Sequence, residues 1–509
     1  MSFVENLNHE LIHGKHNVSI TENGAVGYES SGKALVDFNF SISSMRNWYE
    51  SDILDKFFKM YLEDKFTAVK YLFFATDARG GLGERRLFKI CYKAIANTDA
   101  KLAEAMIPYV PVYVRWDSLF CLFDTSCEAA MIKFLKVQLD LDIVSMNQGS
   151  PTSLLAKWLP SYQATNEESR KIARRIYRKL GFKSPKEYRH TISALRHHID
   201  IVEKRMCDNE WEKIVYENVP SKANMIYKDA FMKHDEVRRT MYLESLVKGE
   251  TKINSSTLYP HEIVHKYPIY NRASEDVTLE ELWKALPDYV NGNGKTICVC
   301  DTSGSMNKPA GQKSTVTCRD VAYGLSIYFS ERCSGEFKDT FITFSERPKI
   351  VDMSNCKSLK EKLLCVKSHG EIANTNIEAV FDLILYTAVN NNMTQEDIPS
   401  NILILSDMEF DKCAEANYGR SLDKRLFDVI SDKYEEAGYK LPRLVFWNIY
   451  STSNTIPVIE NDLGVALVSG YSPAISDMVL SEEVVPYKLI LNKLNTERYE
   501  MLSNLLQYI

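Results

Sequence analysis

From about residue 291 onward, short runs rich in β-branched and aromatic residues alternate with stretches of helical spacing. The apolar runs are Thr296–Cys300, Thr340–Phe344, Ile402–Leu405, Leu444–Ile449 and Val465–Val468. The helical stretches lie near Arg319–Cys333, Lys357–Val366, Ile377–Val389 and Leu422–Glu436. Parallel strands need crossover connections, and helices usually supply them. The pattern therefore predicts an α/β domain with a doubly wound, mostly parallel sheet over residues 290–480.

Residues 51–285 show helical spacing instead. One helix start is clear, because Ser184-Pro185-Lys186-Glu187 combines an N-cap serine, a first-turn proline and a glutamate three residues later. The apolar stripe that follows, from Tyr188 to Met206, predicts a single long amphipathic helix. Helices joined by short turns over this length predict an all-α domain of stacked helical hairpins.

The two ends of the chain carry weaker patterns. In residues 1–50, Gly27-Tyr28 and Val36–Phe40 alternate weakly, which favours an N-terminal arm or a small strand pair. Residues 481–509 are amphipathic, so we expect a helical tail that packs back onto the protein. Its apolar residues are Leu489, Ile490, Leu494, Leu502 and Leu505.

Composition excludes several classes of protein. Of 509 residues, 45% are hydrophobic and 26% are charged, which is typical of globular chains and not of disordered ones. The net charge of −6 gives no chain-wide signature of nucleic-acid or membrane binding, and no apolar run is long enough to span a bilayer. Eleven cysteines without CxxC spacing indicate free thiols, so we expect a cytoplasmic protein. Without a recognisable nucleophile–base arrangement or Walker motif, a non-enzymatic binding protein is favoured.

Oxygen-bearing side chains follow two of the predicted strands. Asp301, Ser303 and Ser305 alternate in the loop after the first strand, and Asp407 ends the run from Asn401. Thr375 precedes a helix between them. In a doubly wound sheet, ligands gather at the carboxyl ends of the strands, and Mg²⁺ prefers oxygen ligands. The sequence therefore predicts a Mg²⁺ site, which Mn²⁺ or Ca²⁺ would also fit; the alternative is that DxSxS is only an N-cap and turn.

This order of DxSxS, a threonine and an aspartate resembles the metal-ion-dependent adhesion site (MIDAS) of the von Willebrand factor A (vWA) family, which has a Rossmann-like fold. The resemblance covers about residues 291–480. It implies that the metal site is formed by Asp301, Ser303, Ser305, Thr375 and Asp407. The hydroxyls would bind the ion directly, and the carboxylates would act mostly through bound waters. Relatives often have Asp after the threonine, where this chain has Asn376, so one nearby negative charge is missing.

Motifs in the helical region carry a second resemblance. Arg79–Arg86, Lys157–Ser161 and Val219–Ser221 are similar to motifs of a domain-of-unknown-function family, number 2828, which joins a helical region to a C-terminal A domain. We expect this resemblance to cover nearly the whole chain. The same architecture resembles the TROVE-domain proteins, the Ro RNA-binding autoantigens, whose HEAT-like helical repeats form a ring closed by an A domain. This resemblance implies a protein that binds small non-coding or structured RNA.

Basic residues are concentrated in residues 157–250, which contain 20 Lys and Arg against 14 Asp and Glu. This segment has a net charge of +6, so the rest of the chain carries −12. Four of its cations share one helical face and would follow a phosphate backbone. The candidate RNA-binding residues are Arg85, Arg86, Lys171, Arg174, Arg175, Arg178, Lys179 and Arg189. The alternative is a solvated helix face paired with Glu167 and Glu168.

Three further interpretations remain open. As an alternative to RNA binding, the chain would be a protein-interaction scaffold whose vWA-like domain captures an acidic side chain of a partner through Mg²⁺. The loop Gly80–Gly83 before two arginines would bind an anion or form a tight turn. His261-Glu262-Ile263-Val264-His265 matches the spacing of a zinc hydrolase, but flanking prolines leave room for about one helical turn.

Overall fold

The structure is a computed structural model that describes residues 3–14, 16–267, 275–290, 295–312, 314–344, 347–370, 376–411, 425–459, 463–481, 483 and 485–508. Their contacts divide the chain into two compact units. The α/β unit comprises residues 1–63 and 255–496. The helical unit comprises residues 64–254 and 497–509. The chain therefore leaves the α/β unit, forms most of the helical unit, and returns.

The described helices, in chain order, are α1 (Phe3–His13), α2 (Ala34–Ser41), α3 (Glu50–Glu63), α4 (Lys65–Thr76), α5 (Arg85–Thr98), α6 (Ala100–Met106), α7 (Val110–Tyr113), α8 (Glu128–Asn147), α9 (Leu155–Trp158), α10 (Glu167–Lys179), α11 (Pro185–His198), α12 (Val202–Cys207), α13 (Ser221–His234), α14 (Glu236–Val247), α15 (Pro260–Lys266), α16 (Val277–Lys284), α17 (Cys318–Arg332), α18 (Leu359–His369), α19 (Glu378–Asn390), α20 (Leu426–Glu436), α21 (Ser476–Leu480) and α22 (Pro486–Leu494). Longer 3₁₀ segments lie at Trp116–Leu122 and Glu497–Tyr508. The described strands are β1 (Ser19–Ile20), β2 (Val26–Gly27), β3 (Thr296–Asp301), β4 (Thr340–Phe344), β5 (Lys349–Asp352), β6 (Asn401–Ser406), β7 (Arg443–Asn448) and β8 (Val465–Ser469).

Six strands of the α/β unit form one sheet in the order β5-β4-β3-β6-β7-β8. All neighbouring pairs are parallel except β4 and β5, which are antiparallel. Every residue of β3 and β7 is buried, as expected when helices cover both faces of a parallel sheet. The chain runs outward from β3 to β5 and then restarts beside β3 with β6, which creates a topological switch point between these two strands.

The predicted α/β region is confirmed as a mixed, mostly parallel sheet, and all five predicted strands belong to it. The prediction missed β5, a four-residue edge strand. Only Val351 of this strand is buried, and the side chain of Ile350 is 59% exposed. An edge strand that packs on one face only lacks the continuous apolar run by which the central strands are recognised.

The N-terminal residues are part of the α/β unit and do not form a separate arm. Residues 19–20 and 26–27 pair as a short antiparallel hairpin, but the expected strand character of Val36–Phe40 is wrong, because these residues lie in α2. Helix α2 is buried on several sides, which removes the 3.6-residue periodicity that would have identified it. The side-chain amide of Asn39 donates to the Leu467 carbonyl of β8 over 3.1 Å.

The predicted single helix from Tyr188 to Met206 is wrong in one respect. Helix α11 ends at His198, and the chain turns at Asp200, whose φ of 57° is left-handed, before α12 begins. Aspartate tolerates this conformation better than most residues, and its apolar neighbours keep the helical spacing across the break. The Ser184 hydroxyl does accept a 3.2 Å hydrogen bond from the Glu187 N–H, as an N-cap should.

The C-terminal tail packs back onto the protein, and its five predicted apolar residues are buried. The two parts of the tail belong to different units, since α22 lies in the α/β unit and residues 497–508 lie in the helical unit. None of the helices described has the length and apolar composition that crossing a bilayer requires.

Candidate metal centre

Two buried carboxylates lie at the switch point of the sheet. Asp301 ends β3, and Asp407 directly follows β6. The two strands are hydrogen-bonded neighbours with Cys300 opposite Leu405, so both carboxylates reach the same carboxyl edge. The side chains are 0% and 1% exposed. Parallel pairing therefore brings together residues that are more than one hundred positions apart in the sequence.

Both carboxylate oxygens of Asp301 have protein partners. Oδ1 accepts a hydrogen bond from the Ser303 N–H at 2.9 Å, and Oδ2 accepts one from the Ser406 hydroxyl at 2.6 Å. The Ser406 hydroxyl oxygen in turn accepts from the Met408 N–H at 3.0 Å. These bonds fix the rotamer of Asp301 and link the loop after β3 to the loop after β6.

The two serines of the DxSxS motif lie side by side. Their hydroxyl oxygens, of Ser303 and Ser305, are 2.9 Å apart, and Ser303 is buried whereas Ser305 is partly accessible. The Arg319 guanidinium of α17 donates to the Ser303 carbonyl oxygen at 3.2 Å, which fastens this loop to α17. The motif thus presents two neighbouring hydroxyl oxygens beside the carboxylate of Asp301.

Asp407 is only partly satisfied. Its Oδ1 accepts a 3.3 Å hydrogen bond from the Glu409 N–H, but its Oδ2 is buried and has no hydrogen-bond partner among the described residues. Between them, Met408 has a φ of 63°, a left-handed conformation that is unusual for a residue with a side chain. Such strain is typical of functional sites. A buried carboxylate oxygen without a partner costs free energy unless something else binds it.

Two negative charges are buried close together here, and the cations that act on them are Arg319 and Lys308. Burial raises the pKa of Asp301, although hydrogen bonds from Ser406 and Ser303 oppose the effect. Burial and the negative charge of Asp301 together raise the pKa of Asp407. The Lys308 ammonium lies 3.3 Å from a Glu22 carboxylate oxygen, so it divides its charge between Glu22 and Asp407. A divalent cation would add positive charge directly between the two carboxylates.

The donor set fits a hard cation. Asp301, Ser303, Ser305 and Asp407 offer only oxygen ligands, which Mg²⁺ prefers. The fifth predicted residue, Thr375, lies outside the residues that the structure describes. The neighbouring Asn376 accepts a hydrogen bond at 3.1 Å from the N–H of Ala379, which lies in the first turn of α19. Within the described ranges, no group of three or more His, Cys, Asp or Glu side chains is placed to hold a metal ion.

Sequence reasoning missed one residue of this centre, Glu409, and the N-terminal hairpin that contacts it. Glu409 is 1% exposed, and its Oε2 accepts a hydrogen bond from the Glu22 N–H at 2.7 Å. The two residues are 387 positions apart. Glu409 follows the predicted ligand Asp407 by two residues, and this proximity could have marked it as part of the site. Nothing in the sequence connects it to the hairpin.

The residues of the zinc-hydrolase motif lie in α15, where their side chains make structural contacts. His265 Nδ1 lies 2.9 Å from Asp320 Oδ2, and its Nε2 lies 3.0 Å from the Thr315 hydroxyl. Glu262 accepts a 3.0 Å hydrogen bond from the Tyr259 N–H and thereby caps its own helix. These contacts fasten α15 to the start of α17 and leave no convergent ligand set among the described residues.

Two of the predicted RNA-binding cations are neutralised within the helical unit. Arg175 donates two hydrogen bonds to Asp124, at 2.9 and 2.8 Å, and also contacts Glu128 at 2.5 Å. Lys179 lies 2.6 Å from the other Glu128 oxygen. The pairing partners are carboxylates of a neighbouring segment, and Glu168 is not among them. Helical periodicity placed the cations on one face but gave no information about the neighbouring helix.

The other cations of α10 are more accessible. Lys171 pairs with Glu167 at 2.9 Å in an exposed contact, as the alternative interpretation expected. Arg178 donates to the Tyr177 hydroxyl at 2.8 Å. Arg174 is exposed and has no ion-pair partner in the described part of the chain. The basic face of α10 is therefore smaller than the sequence suggested.

An open groove lies beside α11 in the helical unit. The residues that line it are Arg189, His190, Ser193, Ala194, His197 and Lys204. Of these, Lys204 is paired with Asp208 at 2.6 Å, whereas Arg189 and His190 are exposed. Arg189 is thus the predicted RNA-binding residue that the structure associates with a concave surface.

The glycine-rich loop forms a tight turn. A Cβ at Gly81 would lie 1.8 Å from the Phe74 carbonyl oxygen, so only glycine fits this return of the chain onto α4. The loop is also held by Asp77, which accepts a 2.8 Å hydrogen bond from Arg498. Arg85 and Arg86, the other predicted RNA contacts, begin α5 directly after this turn, half-buried and exposed respectively.

Comparison with known proteins places this two-unit chain in a family. Residues 133–295 match a domain of unknown function, DUF2828, which confirms the predicted membership for this part. Residues 295–501 match a second domain of unknown function, DUF7788. The chain is 31% identical over 519 residues to the uncharacterized protein L728 of Acanthamoeba polyphaga mimivirus, covering 94% of this chain and 87% of that protein. The chain therefore belongs to the same family as that protein.

Proposed function

We propose that the protein is a non-enzymatic binding protein whose α/β unit is vWA-like and holds Mg²⁺, with an open position for an acidic side chain of a partner protein. The observation that carries this proposal is the buried Oδ2 of Asp407, which has no partner among the described residues although a second buried carboxylate lies beside it. A cation at this point would satisfy the orphaned oxygen and neutralise both charges.

The sheet supports the vWA-like assignment. Its strand order has the switch point of a doubly wound fold, where ligands bind outside the carboxyl ends of the strands. Four of the five candidate residues, all except Thr375, lie at the ends of the two strands that flank this point or in the loops that follow them. A likeness of fold carries no function by itself, so the proposal depends on the chemistry of the site.

The chemistry of the site follows from its charges. Ser303 and Ser305 would bind the cation through their hydroxyls, with Thr375 as the third hydroxyl that the family resemblance implies. Asp301 and Asp407 would contact the ion mostly through bound waters. They would orient those waters and offset the positive charge of the ion. Because the carboxylates would act through waters and not as direct ligands, the ion would keep an open coordination position that can bind one further anion. A carboxylate on a partner protein fits that position.

Manganese binding tests the proposal directly. We expect the full chain to bind Mn²⁺, measured by electron paramagnetic resonance and calorimetry, and the Ser303→Ala/Ser305→Ala double variant to bind at least about tenfold more weakly. Ser354→Ala, an exposed serine in the same unit, is the matched control and should bind like the unaltered chain. An unaltered chain that does not bind Mn²⁺ overturns the proposal.

RNA binding by the helical unit is the second candidate, and the groove beside α11 favours it. Arg189 and the two histidines on this surface offer donors to phosphate oxygens, and the segment has a net positive charge. This arrangement is compatible with the resemblance to TROVE-domain proteins. Three of the eight predicted cations, Lys171, Arg175 and Lys179, are already paired with carboxylates, which is why this function ranks second.

The RNA hypothesis predicts a measurable salt dependence. Binding to a structured RNA should weaken steeply between 50 and 200 mM salt on the order expected for several phosphate contacts, and Arg189→Glu should reduce both affinity and salt slope. Lys171→Glu reverses an equally exposed charge that is already paired, and should have a smaller effect. If filter binding shows no salt-sensitive complex with the unaltered chain, the helical unit has another role.

A further inference from the structure

The buried carboxylate of Glu409 is the meeting point of three chain segments. Its Oε1 accepts hydrogen bonds from the Ser451 hydroxyl at 3.0 Å, the Thr452 N–H at 2.8 Å and the Ser453 N–H at 2.9 Å. Its Oε2 accepts from the Glu22 N–H at 2.7 Å. These donors keep the pKa of Glu409 below its ordinary value, although burial alone would raise it. A charged side chain that is so fully bonded is fixed in position.

The N-terminal hairpin, residues 18–28, holds the backbone next to Glu409. The Thr21 hydroxyl donates to the Phe410 carbonyl oxygen at 2.7 Å, and the Asn23 amide donates to the Glu409 carbonyl oxygen at 2.7 Å. Gly24 forms an antiparallel bridge with the residue that follows Phe410. The hairpin therefore binds three consecutive residues of the loop that begins with Asp407.

This loop transmits the position of the hairpin to the candidate metal centre. The Glu409 N–H donates to Asp407 Oδ1, the oxygen opposite the orphaned one. The intervening Met408 is buried and in a left-handed conformation, so the loop has little freedom to adjust without moving the carboxylate. On the other side of the site, Lys308 pairs with Glu22 of the hairpin at 3.3 Å. The hairpin thus contacts both loops that carry the proposed ligands.

We propose that the N-terminal hairpin, residues 18–28, supports the cation site, and that Glu409 is a positioning residue. The docked hairpin holds Glu409, and Glu409 in turn holds the Asp407 carboxylate in place. The inference rests on the proposed cation site. Glu409 is not itself a ligand, because its carboxylate oxygens are already occupied by hydrogen-bond donors. Since coupling between two binding events is reciprocal, cation binding also stabilises the docked hairpin.

The coupling has a consequence for regulation. A partner that pulls the hairpin away would loosen Asp407 and release the cation together with any acidic ligand that the cation holds. A cation that binds would make the hairpin harder to remove. The hairpin is therefore both a structural element of the α/β unit and the element through which its cation affinity is adjusted.

The test measures Mn²⁺ affinity and hydrogen exchange on the full chain. Thr21→Val/Asn23→Ala removes two of the contacts to residues 409–410 and should lower Mn²⁺ affinity about tenfold. Ser354→Ala is the matched control, because Ser354 is an exposed serine of the same unit that lies outside the hairpin, so it should leave the affinity unchanged. Saturating Mn²⁺ should slow hydrogen exchange of residues 18–28 in the unaltered chain.

The outcomes separate the two proposals. If the unaltered chain does not bind Mn²⁺, the proposed function itself fails. If it binds, but Mn²⁺ leaves exchange of residues 18–28 unchanged, the coupling is wrong; this measurement needs no variant and stands even if the double variant does not fold. If the double variant folds and binds Mn²⁺ as tightly as the Ser354→Ala control, the coupling is also wrong.

Discussion

Replacing Asp407 by asparagine should make the cation-free protein more stable, although the residue lies in the interior. The carboxylate is buried, its Oδ2 has no partner among the described residues, and the charge of Asp301 repels it. Asparagine has nearly the same shape, keeps an oxygen to accept from the Glu409 N–H, and removes the charge.

The magnitude follows from the orphaned oxygen. Leaving a buried polar group unsatisfied costs about 1–3 kcal/mol, and more when the group is charged. The Asp407→Asn variant should therefore gain about 1–3 kcal/mol in the free energy of unfolding when a chelator is present. With Mg²⁺ the order should reverse, since a ligand at about one thousand times its dissociation constant stabilises the unaltered chain by about 4.1 kcal/mol and should do little for the variant.

Denaturant unfolding with and without Mg²⁺, followed by circular dichroism, measures both effects. Asp37→Asn is the control in the same unit, because the Asp37 carboxylate accepts from the Ser30 hydroxyl at 2.5 Å and the Ser31 N–H at 2.8 Å. This control should lose about 1 kcal/mol, as expected when a satisfied charged acceptor is weakened. An Asp407→Asn variant that is less stable than the unaltered chain in chelator, or that gains as much from Mg²⁺, would refute the reasoning.

Two further predictions concern the helical unit. Gly81→Ala should destabilise this unit by about 3 kcal/mol or more, because the added Cβ would lie 1.8 Å from the Phe74 carbonyl oxygen; thermal unfolding measures it, and a near-neutral effect would show that the turn is not constrained. Asp99→Ala should cost about 1 kcal/mol at pH 7, since Asp99 caps α6 and pairs with Lys65. Although burial raises it, hydrogen bonds from Lys65 and the Leu102 N–H hold the pKa of Asp99 below 3.8. Its contribution should therefore be complete above pH 3.8 and disappear as the pH falls through the depressed pKa. A difference between variant and unaltered chain that persists in strong acid would contradict this.

The α/β region could be predicted from the sequence because its signals are local. Central strands such as β3 are buried on both faces, so they are continuous apolar runs, and Asp301 follows directly after one of them. The position of Asp407 relative to Asp301 followed from a general rule of parallel sheets. The sequence therefore predicted the edge of the sheet at which Asp301 and Asp407 meet.

The remaining features depend on contacts between distant segments. Arg175 looked available for RNA because periodicity describes only its own helix, whereas its partner Asp124 lies 51 positions away. The hairpin contact of Glu409 is separated by 387 positions and involves a backbone N–H that any residue type supplies. Such contacts have no composition or spacing of their own, so the sequence alone could not reveal them.

The discontinuous α/β unit has a consequence for how the chain is made. Thr21 reaches its partner Phe410 only after 389 further residues have been synthesised. At ribosomal speeds of 5–20 residues per second, this delay is roughly 20–80 s. Most helical-unit residues emerge in the meantime, so their mainly local contacts have time to form first. Residues 1–63 of the newly synthesised chain therefore remain without their packing partners until the strands of the α/β unit have been made.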